Sequence, residues 1–226
     1  MSTKLLAEAI GSFFLASTIA ITDVEPFSTG GTYWCAMIFT GFVSGAHYNP
    51  AITFAVMIKD WMEDKLDQVK VKENLLMMVS QFIGALFGIL IGWGISTRTI
   101  YFEVADGYQQ TEGFFSEFIF TAVLCADFIM VSKITDNIMI GSSVIAMAVT
   151  SGEWAIGKIS KGCFNPTICL AANIVNYAHT GSNFTDTWIY ILAPMIAAIF
   201  SGMTAKMFLS ELDEQKKAIE EAEEKR

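Results

Sequence analysis

The stretch Ser44-Gly45-Ala46-His47-Tyr48-Asn49-Pro50-Ala51-Ile52-Thr53 decides the architecture of this chain. Its Asn-Pro pair is typical of a helix start, because asparagine caps a first turn well and proline loses no hydrogen bond at the first helical position. The pair recurs in Gly162-Cys163-Phe164-Asn165-Pro166-Thr167-Ile168. Each pair begins an apolar run too short to cross a membrane, at 50–58 and 166–175. We therefore predict two re-entrant half-helices.

Six longer apolar segments surround these runs, and their composition indicates membrane spans. A helix needs roughly 20 apolar residues to cross a hydrocarbon core of ~30 Å. The chain is 53% apolar over 226 residues, more than a soluble domain of this size usually needs. The predicted spans are 5–22, 30–44, 75–95, 114–131, 138–151 and 187–209. The fold class predicted is an all-α membrane protein with six transmembrane helices plus two re-entrant half-helices.

The chain also repeats itself. Each half opens with a span that carries an internal glutamate, Glu8 in the first and Glu117 in the second, and each half contains one Asn-Pro turn. Three spans per half place the halves in opposite orientations, which is the inverted 3+3 repeat of many channels and transporters. We predict a transmembrane domain over 1–209, with repeats of about 1–110 and 111–209, and a charged C-terminal tail over 210–226.

Small residues recur at every fourth position on two of the spans, and this spacing predicts close helix packing. The third span carries Gly84, Gly88 and Gly92. The sixth span carries Ala193, Ala197, Ser201 and Ala205.

The loop charges predict the orientation of the chain in the membrane. Eleven Lys and Arg residues fall on one side of the six spans and three on the other, so the positive-inside rule places both termini inside. The inside is cytoplasmic or matrix-like, and the sequence does not distinguish a plasma membrane from an organelle membrane. No basic patch exists for nucleic acid. With no CxxC spacing and no grouped nucleophile and base, we predict no metal site, no cofactor and no enzymatic activity.

The quoted stretch at 44–53 resembles the first signature of the major intrinsic protein family, which is aquaporin-like. The segment at 81–88 resembles its third span, and the segment at 188–194 resembles the start of its sixth. The resemblance covers about 7–207 and implies a pore in each subunit and, commonly, a homotetramer in the lipid bilayer. It also implies that Glu8 and Glu117 are architectural acids that accept hydrogen bonds from the re-entrant loops.

The resemblance identifies a pore motif at the midplane, where the two half-helices begin. Each half-helix N-terminus carries a dipole charge of roughly +0.5, so the pair repels cations and hydronium. His47 matches the loop histidine beside the pore, and a buried hydrogen-bonded imidazole and a direct solute contact remain equal alternatives. The pore motif comprises Asn49, Pro50, Ala51, Asn165, Pro166 and Thr167.

The second signature departs from the family pattern where selectivity is set. The family usually reads Asn-Pro-Ala-Arg, but here Ile168 stands in place of the arginine. Twelve residues before Asn165, where water-selective members usually carry histidine, this chain has Glu153. Lys158 or Lys161 could pair with that acid. The candidate pore and filter residues are therefore His47, Glu153, Gly162 and Ile168.

The second span is predicted to be short. Only 12 residues separate Gly31 from Ser44, which is about 18 Å of helix. The missing turns include the place of the family's filter aromatic. Phe39 and Phe42 lie nearby, but neither can be assigned to that role.

Two functions fit these observations. The first is passive passage of water or small neutral solutes through an atypical filter. The second is a non-conducting structural subunit of a larger membrane assembly, which would retain the packing residues and lose the filter arginine. The width of the path at Ile168 and Glu153 distinguishes the two.

Overall fold

The computed structural model describes residues 2–182 and 184–224, and these form eight α-helices. Five of them, α1, α4, α5, α6 and α8, are long and apolar enough to cross a membrane. The two short helices α3 and α7 both begin at an Asn-Pro pair, as predicted. The helices are α1 (Ser2–Thr22), α2 (Pro26–Ser44), α3 (Pro50–Met62), α4 (Gln68–Ser96), α5 (Gln110–Ile134), α6 (Ile138–Ser160), α7 (Pro166–Thr180) and α8 (Ile189–Glu224).

The second span is longer than the sequence indicated. Helix α2 contains 19 residues, or about 28 Å, and begins at Pro26. The Glu25 carboxylate caps it by accepting from the backbone N–H groups of Phe27 (3.2 Å) and Ser28 (2.7 Å). Gly30 does not break the helix, because it packs directly against α6, where an added Cβ would lie 2.8 Å from the carbonyl oxygen of Ala146. The prediction of a truncated span was therefore wrong.

Small residues bring the spans of each repeat together, as their spacing predicted. On α4, Gly84 and Gly88 face the backbone of α1, and a Cβ at Gly88 would lie 2.5 Å from the carbonyl oxygen of Phe13. In the second repeat the Ser201 hydroxyl of α8 donates to the carbonyl oxygen of Ala122 on α5 (2.8 Å). Both contacts require the paired helices to approach closely, so α1 and α5 are held against α4 and α8 respectively.

The segment that joins the two repeats is fixed across the end of α7 on the side away from both chain termini. We call this side outer and the side of the termini inner. Phe102 is 1% exposed, and its backbone N–H and carbonyl both bond to the Asn173 side chain, at 2.7 and 2.9 Å. The Asp186 carboxylate accepts from the backbone N–H of Val104 (3.0 Å). These hydrogen bonds hold the linking segment in a fixed position over the outer end of α7.

The charged tail continues α8 without a break at 209–210, and its described part ends at Glu224. Residues 211–223 are mostly exposed, including Ile219 at 59%. Residues 225 and 226 lie outside the described part. At the base of this extension Lys206 approaches Glu63 after α3 (3.9 Å), so the last helix is tied to the inner end of the first half-helix.

Candidate pore

The two loops that precede the half-helices share one backbone conformation. Each has three residues with positive φ at matching places, and these are Gly45 (92°), Ala46 (59°) and Tyr48 (48°) in the first loop and Lys161 (64°), Gly162 (72°) and Phe164 (52°) in the second. A serine closes each turn by accepting a backbone N–H: Ser44 from Ala46 (3.0 Å) and Ser160 from Gly162 (3.4 Å). Because most L-residues avoid positive φ, the surrounding contacts must hold these loops in place.

A buried glutamate supplies those contacts in each loop. The Glu8 carboxylate accepts from the backbone N–H groups of His47 (3.0 Å) and Tyr48 (2.8 Å). The Glu117 carboxylate accepts from Cys163 (3.0 Å) and Phe164 (2.8 Å) in the same way. Both glutamates are fully buried. Each therefore pairs two N–H groups that water cannot reach, in an environment where an unpaired group is costly.

The two asparagines link the loops to each other. Asn49 caps α3 by accepting from the N–H of Ala51 (2.9 Å), and its amide donates to the carbonyl oxygen of Phe164 (2.7 Å). Asn165 caps α7, and its amide donates to the carbonyl oxygen of Tyr48 (2.8 Å). The N-termini of the two half-helices thus meet at one point, where their dipoles add to roughly +1.

A narrow cavity of about 20 Å³ lies on the outer side of this point. This is room for about one water molecule. Gly162 borders the wall, because a Cβ at that position would lie 3.0 Å from the Cα of Glu153. We call this cavity the outer constriction, and its lining includes Thr29, Tyr33, Asn49, Val149, Glu153, Cys163, Asn165 and Ile168.

The Glu153 side chain is 3% exposed, and no residue of the described part bonds to its Oε2 atom. The Lys161 ammonium instead donates to the carbonyl oxygen of Tyr101 (3.1 Å) and approaches Asp23 (3.8 Å). Lys158 is exposed. The expectation that one of these lysines pairs with Glu153 was wrong, because the helix α6 ends at Ser160 and turns Lys161 outward along the linking segment.

The second span contributes two residues to the outer constriction, Thr29 and Tyr33. Phe39 and Phe42 are 62% and 80% exposed and face away from it. Sequence reasoning missed Thr29 because it began the span too late. The signal was the Glu25-Pro26 pair, an acidic residue followed by proline, which commonly begins a helix.

His47 lies on the inner side of the crossing point. Its Nδ1 atom is 3.0 Å from the Thr53 hydroxyl, and its ring meets Phe128 edge-on with centroids 5.1 Å apart. The ring also lines an inner cavity of about 400 Å³ that opens between α3 and the start of α6. The ring is anchored through one nitrogen and borders open space. Its position is therefore compatible with both predicted alternatives, a buried hydrogen-bonded imidazole and a direct solute contact.

The sequence model of the family described as "Major intrinsic protein" matches residues 2–204. The chain belongs to the major intrinsic protein family. It is accordingly an integral membrane protein of a channel family and not an enzyme.

Relatives within the family are distant. The chain is 26% identical to a probable aquaporin NIP-type of Nicotiana alata, over 87% of this chain and 74% of that protein. It is 26% identical to nodulin-26 of Glycine max, over 87% of this chain and 74% of that protein. Among solved structures, the aquaglyceroporin from Plasmodium falciparum matches with a TM-score of 0.76 and 21% identity, over 93% of this chain and 98% of that chain. That likeness confirms the aquaporin fold.

Proposed function

We propose that this chain conducts water or small neutral solutes passively through the path between the two half-helices, with an outer constriction of atypical chemistry. The observation that carries the proposal is the pair of crossed bonds from Asn49 to Phe164 and from Asn165 to Tyr48. They bring both half-helix N-termini to one point between an inner cavity and an outer constriction.

The crossing point supports passage of neutral species and opposes cations. Each asparagine amide has two N–H groups and uses one for the opposite loop, so one donor per amide remains for a passing oxygen or nitrogen lone pair. Roughly +1 of dipole charge at the same place repels a cation that has left bulk water. A solute that offers an acceptor therefore passes this point most easily.

The outer constriction is the atypical part of the proposed pore. Thr29, Glu153 and Ile168 line it, while Gly162 packs against the backbone of Glu153. Ile168 supplies neither the charge nor the hydrogen-bond donors of an arginine. We propose that both termini lie on the inner side of the membrane, where most loop lysines fall, and that the chain assembles as a homotetramer or within a larger membrane complex.

A second candidate, the non-conducting structural subunit, is favoured by the small volume of the outer constriction. About 20 Å³ leaves no margin for a solute larger than water unless side chains move. The exposed helical extension over 211–223 also offers a surface for a partner. In that case the buried glutamates and the small residues stabilise the fold and have no role in solute passage.

Reconstitution into liposomes separates the two candidates. We expect wild-type protein to raise osmotic water flux above that of empty vesicles, measured by stopped-flow light scattering. Thr29→Phe should abolish the increase, because the larger ring fills the constriction. Thr32→Phe is the matched control: it adds the same bulk three residues later, in a groove between α1 and α2, and removes only the hydroxyl contact with Thr18 (3.0 Å). Wild-type flux equal to that of empty vesicles, with protein verified in the bilayer, would favour the structural subunit.

A further inference from the structure

The last helix continues well beyond the membrane-spanning part of the chain. Helix α8 runs from Ile189 to Glu224, and residues 211–223 extend it by about 20 Å past the buried Leu209. Lys206 fixes the base of this extension, because its ammonium group donates to the Ser210 hydroxyl (2.9 Å) and approaches Glu63 (3.9 Å). The extension is therefore a helix that the membrane domain holds at one end, with most of its side chains exposed.

One side of the extension is uncharged and carries its largest apolar residues. At about 3.6 residues per turn, residues three, four and seven places apart share a face of a helix. Leu212 is partly buried, whereas Ile219, about two turns further along, is 59% exposed. We call this side the tail face, and it consists of Leu212, Gln215, Ile219 and Ala222. Apolar residues at this spacing are the anchors by which one helix binds another protein surface.

Acidic residues border the tail face. Residues 211–223 contain six acids and two lysines, so their net charge is −4. Glu223 lies one turn after Ile219 on the same side of the helix, and Glu220 lies at the edge of the face. Glu214 and Glu221 lie on the opposite side. A partner that covers the tail face therefore meets negative charge at its border.

Two other occupants fit this surface less well. An anionic lipid surface repels a helix segment with a net charge of −4. A second copy of the chain would bring two such segments together. The tail face is also too short for a stable coiled coil between them, and Gln215 and Ala222 contribute little apolar area to it. Charge complementarity instead favours a basic partner.

We propose that the tail face is a docking site for a protein partner that presents a basic amphipathic helix. Apolar residues of that helix would pack against Leu212 and Ile219, and its lysine or arginine residues would pair with Glu220 and Glu223. Two helices side by side bury their apolar residues between them and pair their charges at the edges. The inference goes beyond solute passage, because the tail face lies outside the membrane-spanning part of the chain and is the same in a conducting pore and in a structural subunit.

The test measures peptide binding to the full-length protein in nanodiscs of phosphatidylcholine, which has no net charge and does not attract a basic peptide. The probe is a fluorescently labelled helical peptide of leucine and lysine, with leucine at every third or fourth position. A second labelled peptide copies residues 210–224 of this chain and represents a second copy. Fluorescence anisotropy, with empty nanodiscs as background, should show binding of the leucine–lysine peptide and none of the copied peptide.

Substitution of the apolar anchor should give the largest change in binding. Ile219→Ser removes the exposed isoleucine of the tail face, and we expect it to weaken binding of the leucine–lysine peptide about tenfold. Ile134→Ser is the matched control, because it removes an isoleucine that is 68% exposed at the inner end of α5, away from the extension. Its affinity for the peptide should equal that of the wild type.

Two pairs of substitutions distinguish a docking face from attraction by net charge. Glu220→Gln with Glu223→Gln removes two charges beside the tail face and should weaken binding about threefold, as two exposed ion pairs do. Glu214→Gln with Glu221→Gln removes the same charge from the opposite side and should weaken it less. All variants are compared as monodisperse protein at one salt concentration.

Three results would overturn the proposal. Preferential binding of the copied peptide would assign the tail face to a second copy of the chain. Binding of neither peptide would show that the face is only solvated. Equal weakening by the two glutamine pairs, or by Ile219→Ser and Ile134→Ser, would show that the peptide does not dock on this face. None of these results bears on solute flux, so each leaves the proposed pore intact.

Discussion

The loops at 44–49 and 160–165 have the same backbone and the same anchors, and the residues three places after each asparagine are also alike. Ile52 and Ile168 occupy that position and are 0% and 2% exposed. The arginine that the family pattern leads one to expect in the second loop would make the loops different. With isoleucine there the two turns are nearly symmetrical, so the loops themselves do not distinguish the outer side of the proposed pore from the inner side.

The asymmetry lies instead on the helices that precede the loops. Twelve residues before each asparagine, the chain has Met37 on α2 and Glu153 on α6. Met37 borders the inner cavity, and Glu153 borders the outer constriction. A thioether therefore faces one end of the path and a carboxyl group faces the other. The two loops therefore share one backbone conformation. The chemical difference between the two ends lies on the helices that precede them, α2 and α6.

The largest expected effect tests whether the two loops are equivalent. Glu8→Ala and Glu117→Ala each leave two buried backbone N–H groups without an acceptor, at about 1–3 kcal/mol for each group. We expect similar, large losses of thermal stability in detergent, measured by the temperature at which monodisperse protein disappears. Glu8→Gln and Glu117→Gln retain one acceptor oxygen and should lose less. A large effect at only one of the two glutamates would contradict the equivalence of the loops.

A smaller effect should distinguish the loops at one matching position. Gly162 has φ of 72°, and a Cβ there would meet Glu153 and Phe164, each at 3.0 Å. We expect Gly162→Ala to lower the free energy of unfolding by about 1–3 kcal/mol, as overpacking does, and to narrow the constriction. In the first loop Ala46 already carries a Cβ at φ of 59°. Ala46→Gly is the reciprocal change and should be close to neutral. Equal losses of unfolding free energy in both variants would contradict the tight packing of the second loop against Glu153 and Phe164.

Much of this architecture could be predicted from the residues themselves. Asparagine and proline define a helix start through local hydrogen bonding and a fixed φ, so α3 and α7 followed directly from the sequence. The start of α2 did not, because Gly30 and Gly31 disfavour a helix locally and only the contact of Gly30 with α6 compensates. Whether Glu153 has a lysine partner depends on the direction of the Lys161 side chain. Contacts with Asp23 and Tyr101, which are distant in sequence, set that direction. Tertiary contacts of this kind leave no local pattern to read.

The far ends of the half-helices provide the smallest effect. Gly181 follows the last residue of α7. Glu63 follows the last residue of α3 and meets Lys65 (2.7 Å), Lys59 (3.8 Å) and Lys206 (3.9 Å). Partial burial raises the pKa of Glu63, but the hydrogen bond from Lys65 and the three lysine charges outweigh burial and hold the pKa below its usual value of 4.5.

Because the folded-state pKa is the lower one, this stabilisation is present above pH 4.5 and is lost as the pH falls through the folded-state value. We expect a contribution of about 0–1 kcal/mol. Thermal unfolding of wild type and Glu63→Gln should therefore differ slightly at neutral pH and converge in acid. A difference that grows as the pH falls would contradict the ion-pair assignment.

The most direct test of the account is the solute selectivity of Ile168→Arg. We expect side-chain movement at the outer constriction to let wild-type proteoliposomes pass water together with some glycerol or urea. Ile168→Arg should lower glycerol and urea flux relative to water and exclude ions more strictly. Ile168→Leu, which preserves the apolar wall, should behave as the wild type does. Water flux in all three proteins with identical glycerol, urea and ion permeability would contradict the claim that the apolar Ile168 sets the selectivity of the proposed pore.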